Sequence, residues 1–220
     1  MTSTYSHATD AFRCDECGEP MAIPLSCDHC GANYPERRAM GPFSVLGLEA
    51  RWDLPEELFE TRETTLAQRL HPDRWQGKGE RQHKRALIAW SAVNEALEKT
   101  RDPFARAETL LEATHEWDDA LSGKTTLPQA FLIEQLELQE EIQDGVDRDR
   151  KKALNKTIRH ELKELVRQLA GHFEVIEATE HAGSAAGDAR LAALKGAKAV
   201  VDRSRYWRNA RRALRGDAQG

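Results

Sequence analysis

The sequence predicts an all-α fold: a helical hairpin, then a three-helix antiparallel bundle, both preceded by a small ribbon built on four cysteines. Three observations predict it. Between Leu54 and Leu97 two helical patterns flank the tripeptide His71-Pro72-Asp73. From residue 128 onward, apolar residues keep helical spacing over three long stretches. All four cysteines fall early in the chain, as two CxxC pairs.

Length and composition bound the function. A chain of 220 residues with 40% hydrophobic content suits one or two domains with a modest core. No apolar run approaches the roughly 18 residues needed to span a bilayer, and the N-terminus lacks a basic flank followed by an apolar stretch, so a cytoplasmic protein without a membrane partner is expected. The formal net charge of -5 argues against a general nucleic-acid binder. Arg203, Arg205, Arg208, Arg211, Arg212 and Arg215 make the end of the chain locally basic, but they scatter around a helix that also carries Trp207 and Leu214. Without a coherent basic stripe, no nucleic-acid partner is expected.

Residues 1–12 show no periodicity and are expected to be disordered. The ribbon spans residues 13–38. Cys14-x-x-Cys17 and Cys27-x-x-Cys30 are knuckles separated by nine residues, each followed by a glycine, Gly18 and Gly31, that permits a tight turn. Four thiolates suit a tetrahedral zinc ion, and a site closed by four protein ligands is structural. Disulfides are disfavoured in a chain without an export signal, and a redox CxxC would accompany a βαβ pattern that is missing here. Zinc is favoured over a rubredoxin-type iron, and His29, between two ligands, is read as solvent-facing.

The hairpin occupies residues 42–113. Leu58, Phe59, Leu66 and Leu70 recur at helical spacing before the tripeptide, and Ala86, Trp90, Val93 and Leu97 after it. Pro72 supplies no N–H and moves His71 off helical torsions, so the first helix stops at about Leu70 and the tripeptide sits at an exposed tip. Arg62 and Arg69 share the flank of the first helix and form a basic edge leading to Asp73 and Arg74. Pro103 opens a further short helix, with Asp102 as its N-cap. His71 has no neighbouring Ser or Cys nucleophile, so no catalytic arrangement is visible and no enzyme is expected.

Residues 114–127 lose periodicity and read as a linker, with the boundary near Leu127. The bundle spans residues 128–214, and residues 215–220 form a tail. In its first helix Phe131, Leu138 and Ile142 share one face, assigned to the core, while Leu132, Ile133 and Leu136 lie opposite, among Glu137, Glu140 and Asp144. That second face either engages a partner or is covered by the hairpin domain. Leu154, Ile158, Leu162, Leu165, Leu169 and Ile176 form the stripe of the next helix. Ala193, Ala197, Val200, Ser204, Trp207 and Leu214 form that of the return helix, with Tyr206 off the stripe and accessible. A short turn at Ala182-Gly183-Ser184 favours folding back within a monomer over a dimeric coiled coil.

The hairpin with His71-Pro72-Asp73 at its tip, opened by Pro42 to Leu48 and closed by Arg101-Asp102-Pro103, resembles a J-domain, the module that recruits DnaK-type chaperones and stimulates their ATPase. It departs at Arg74, where many J-domains carry Lys. The whole order, together with Arg106 to Leu111 and the segment Phe131 to Leu138, is similar to the HscB family of J-domain co-chaperones of iron–sulfur cluster biogenesis. The cysteine ribbon resembles the N-terminal metal module of mitochondrial members. The resemblance implies a contact with a DnaK/HscA-type chaperone through Arg62, Arg69, His71, Pro72, Asp73 and Arg74. It also implies a contact with an iron–sulfur cluster scaffold protein through Leu132, Ile133, Leu136, Glu137, Glu140, Asp144 and Tyr206, the last two departing from the family in residue type.

Overall fold

The two knuckles form matching turns. In the computed structural model, which describes residues 12–114, 121, 125–179 and 187–216, strand β1 (Phe12–Arg13) pairs antiparallel with β2 (Pro20–Met21), Phe12 opposite Met21. Gly18 donates its N–H to Cys14 O at 2.9 Å and Gly31 to Cys27 O at 3.1 Å, both with positive φ, 75° and 74°, that a side chain would strain. Two strands of two residues cannot hold together alone. They enclose a small core of Cys14, Met21, Cys27 and Tyr34, with Phe12 and Ala32 against it. A 3-10 turn, Pro35–Met40, leads out.

Helix α1 (Pro42–Val45) is followed by α2 (Glu56–Leu70), a 3-10 turn at Pro72–Trp75, α3 (Glu80–Arg101) and α4 (Pro103–Glu112). Phe59, Leu66 and Leu70 are wholly buried, as are Ala86, Ala89 and Val93 of α3, whose small side chains let the two helices pack closely. Trp90, expected in the stripe of α3, is half-buried and meets the His71 ring instead. As expected, Asp102 caps α4: its Oδ1 accepts the N–H groups of Phe104 and Ala105 at 3.1 and 2.9 Å.

The ribbon belongs to this body. Met1–Thr109 and Leu110–Gly220 are the two compact units of the chain, so the division falls inside α4, upstream of the expected linker. Within the first unit the 3-10 turn of the ribbon packs on α1 and α3. Ile23 and Leu25 are buried, and a Cβ on Gly47 would lie 2.6 Å from Ala22 O, so the loop after α1 touches the ribbon backbone. Residues 1–11 and most of 114–127 lie outside the described residues, although Leu121 is buried.

The second unit contains α5 (Gln129–Asp144), α6 (Arg148–Thr179) and α7 (Gly187–Arg215). All six expected stripe residues of α6 are buried and Phe173 joins them; on α7 the expected six are buried together with Leu194, Val201 and Ala210. The two long helices pair along their length, and α5 packs on α7. At Gly196 of α7 the His172 ring of α6 lies where a Cβ would be. The Ala182-Gly183-Ser184 turn falls outside the described residues. Among the described residues, no helix is long and apolar enough to cross a membrane.

Candidate metal centre and interaction surfaces

The two knuckles bring four sulfurs together. The Sγ atoms of Cys14, Cys17, Cys27 and Cys30 all lie within 4.8 Å of one another, Cys14 to Cys30 at 3.4 Å and Cys17 to Cys27 at 3.7 Å. A tetrahedral ion with bonds of about 2.3 Å has sulfur–sulfur edges of roughly 3.8 Å, so the donors fit a metal. Tyr34, which the sequence reading missed, supports them. Its hydroxyl accepts the N–H of Asp15 at 2.9 Å and lies 3.1 Å from Cys14 Sγ, placed to donate to the thiolate. Only the fold reveals this, since no spacing rule links Tyr34 to the knuckles.

The thiols of the cluster oppose one another's ionisation. Burial opposes ionisation of Cys14, but the Tyr34 hydroxyl, the backbone N–H groups of Cys17 and Glu16 and the Cys30 sulfur bring it down to about 6. The Glu19 N–H favours a Cys17 thiolate, yet burial and the three neighbouring sulfurs push Cys17 up to about 12. One thiolate forms readily and the next is resisted by the first; a bound metal ion removes that conflict.

The hairpin tip is a tight local structure. His71 Nδ1 accepts the N–H of Asp73 at 3.4 Å, and Trp75 Nε1 donates to Arg69 O at 2.9 Å, closing the end of α2. The His71 side chain is half-exposed, its ring 5.4 Å from that of Trp90, edge to face. Arg74 and Asp73 are exposed. The expected basic edge is altered by the ribbon: Asp28 forms an ion pair with Arg69. Arg62 is buried at 9% exposure, its charge disfavoured first by burial and then by Arg69, with Asp28 acting in the opposite sense.

Arg106 has a structural task. Nearly buried, it donates from Nε to Thr100 O at 2.6 Å, from Nη1 to Trp52 O at 2.9 Å and from Nη2 to Arg101 O at 3.3 Å, with its guanidinium 4.9 Å from the Phe59 ring centroid. It ties the end of α3 to the loop before α2.

On α5 the second face is open. Leu132, Ile133 and Leu136 are 37, 48 and 59% exposed, and Glu137, Glu140 and Asp144 are exposed around them. Tyr206 of α7 is 40% exposed and stacks edge-on against Phe131 at 5.6 Å, which sets it beside α5. The core face differs from expectation in one respect: Phe131 and Gln135 are buried, whereas Leu138 and Ile142 are only half-buried. The N-terminal half of α5 is the half anchored to α7, through Phe131 against Tyr206, Trp207 and Arg203.

Comparison with known proteins follows this architecture. Residues 127–215 match the family described as the HSCB C-terminal oligomerisation domain. The co-chaperone protein HscB of Proteus mirabilis (strain HI4320) is 33% identical over 105 residues, which are 48% of this chain and 60% of that protein. The chain's match thus spans three fifths of the length of that relative. Among solved structures, human co-chaperone protein HscB superposes with a TM-score of 0.66 at 19% identity, over 94% of this chain and 100% of that one. Chaperone HscB from Vibrio cholerae gives 0.57 at 22% identity, over 81% and 97%. At these identities the two structures establish the fold.

Proposed function

We propose that this chain is a co-chaperone of the HscB type, without enzymatic activity of its own, that binds an iron–sulfur cluster scaffold protein and delivers it to a DnaK/HscA-type chaperone, whose ATPase it stimulates; the match of residues 127–215 to the HSCB C-terminal domain and the 33% identity to the Proteus mirabilis protein support this reading. The observation that carries this reading is the exposed aliphatic strip Leu132, Ile133 and Leu136, ringed by Glu137, Glu140 and Asp144 and flanked by Tyr206. An apolar strip with a defined acidic border suits one folded partner better than a range of unfolded clients. The chaperone meets His71, Pro72, Asp73 and Arg74 at the hairpin tip, with Arg69 and Arg62 behind them. The two surfaces lie in separate compact units. Holding the scaffold on one unit while the other engages the chaperone raises the scaffold's effective concentration at the chaperone.

The ribbon holds zinc. Four sulfur donors at tetrahedral spacing suit this ion, and a closed set leaves no position for water or substrate, so its task is structural.

Titration calorimetry with the scaffold tests the strip. Leu132→Ala with Leu136→Ala should weaken binding by roughly tenfold to a thousandfold, at about 1 to 2 kcal/mol for each truncated contact. Both side chains are exposed, so the melting temperature should stay near that of the unaltered chain. Unchanged affinity would remove the strip from the interface.

A further inference from the structure

The CxxC spacing alone would pair each cysteine with its neighbour in the same knuckle, Cys14 with Cys17 and Cys27 with Cys30. The fold offers a different pairing. Cys14 Sγ contacts Cys30 Sγ at 3.4 Å and Cys17 Sγ contacts Cys27 Sγ at 3.7 Å, so both contacts run from one knuckle to the other. Each joins an exposed residue to a buried one: Cys30 and Cys17 are exposed, whereas Cys14 and Cys27 are buried. Cys30 also opens on a cleft of about 520 Å³ between the ribbon and the start of α3. The chain has four cysteines, so no further thiol competes with these pairs.

A disulfide bond is about 2.05 Å long, so closing either contact moves each sulfur by less than about 1 Å. Such closure leaves the knuckles joined. One bridge ties residue 14 to residue 30 and the other residue 17 to residue 27, the same two turns that a single zinc ion would hold together. Closure inside each knuckle would leave the first turn unattached to the second, and strands of two residues cannot hold the ribbon by themselves.

We propose that the ribbon is a peroxide-responsive site, which releases its zinc and closes two disulfides between the knuckles, Cys17 to Cys27 and Cys14 to Cys30, with its fold retained. This rests on the zinc reading above and adds the regulation of that site. The thiolate of exposed Cys17 attacks hydrogen peroxide; an S–O bond forms, the O–O bond breaks and hydroxide leaves, so Cys17 becomes a sulfenic acid. The Cys27 thiolate attacks that sulfur, the S–S bond forms and a second hydroxide leaves. Two protons from solvent convert both hydroxides to water, and the peroxide has gained the two electrons that the sulfurs lost. Cys30 and Cys14 repeat the sequence with a second peroxide. With its thiolates in disulfides the chain no longer holds the ion. A dithiol reductant reverses the change by exchange and ends as its own disulfide. Asp28, between Cys27 and Cys30, keeps its ion pair with Arg69 in both states, so the ribbon stays fastened to the end of α2.

The experiment begins with elemental analysis of the full-length chain and then adds hydrogen peroxide in the presence of a chromogenic zinc chelator, with the chelator alone as control. Peroxide should release about one zinc per chain, with about two peroxides consumed. Peptide mapping by mass spectrometry should find Cys17 bonded to Cys27 and Cys14 to Cys30. Hydrogen exchange over residues 12–48 should be as slow in the oxidised chain as in the zinc-loaded one, whereas reduced chain stripped of metal loses that protection. Dithiothreitol followed by zinc should restore the starting state. Bridges within the knuckles, sulfinic acids, lost protection in the oxidised chain, or zinc retained on free thiols would each overturn the proposal. Fresh chain without zinc would instead overturn the zinc reading, and the release with it, while the disulfide map of that chain still decides the pairing.

Discussion

Asp28, set between Cys27 and Cys30 of the four-cysteine cluster, pairs its carboxylate with the guanidinium of Arg69, two residues before His71. The second cysteine knuckle and the end of α2 are therefore joined directly. Both side chains are about a third exposed, so the pair adds at most about 1 kcal/mol and acts chiefly to orient the ribbon.

Removing the metal should therefore unfold more than the knuckles. Purified chain should hold one zinc ion, and Cys14→Ser or chelation should abolish hydrogen-exchange protection over residues 12–48 and reduce it near Leu70. Residues 129–216 should keep theirs, since they form a separate unit. Elemental analysis finding no stoichiometric metal in protein prepared without chelator would dismiss the site.

Arg106→Ala should destabilise the first unit by about 2 to 4 kcal/mol, because three backbone carbonyls lose a charged donor in a nearly dry setting. Urea unfolding followed by exchange within residues 12–109 checks this. A loss below about 1 kcal/mol would mean that water replaces the guanidinium at Thr100 O and Trp52 O.

The contrast between Phe59 and Arg106 shows what the sequence could convey. Phe59, Leu66 and Leu70 were legible because burial on one helix follows a 3.6-residue period, and the four cysteines because a ligand set repeats in spacing. The stripes of α6 and α7 were legible for the first reason. Asp28 to Arg69 and Tyr34 to Cys14 join residues 41 and 20 positions apart through packing, and no local period encodes such pairs. The burial of Arg62, read from the helical wheel as part of an open basic edge, has the same origin: the wheel gives a face, and not what covers it.

The bundle should lose stability on acidification through His172. Burial holds this imidazole below its ordinary value of 6.5 where it lies on Gly196. A depressed folded pKa means that the unfolded chain binds the proton more tightly, so the stability is full above about pH 6.5 and declines as the pH falls, until the folded imidazole is protonated too. His172→Gln should flatten the decline. Melting curves of the bundle between pH 7.5 and 5, roughly the range of imidazole titration, make the comparison, and equal slopes in both proteins would take His172 out of the account.

Single-turnover ATP hydrolysis by the cognate DnaK-type chaperone, measured with the scaffold present, tests the central claim most directly. The unaltered chain should accelerate hydrolysis, and His71→Gln should abolish the acceleration. The substitution loses an edge contact with Trp90 that amounts to about 0.5 to 1 kcal/mol, so the fold should persist, as a circular dichroism melt will show. Acceleration by His71→Gln equal to that of the unaltered chain, with the melt unchanged, would contradict the assignment of the hairpin tip to the chaperone.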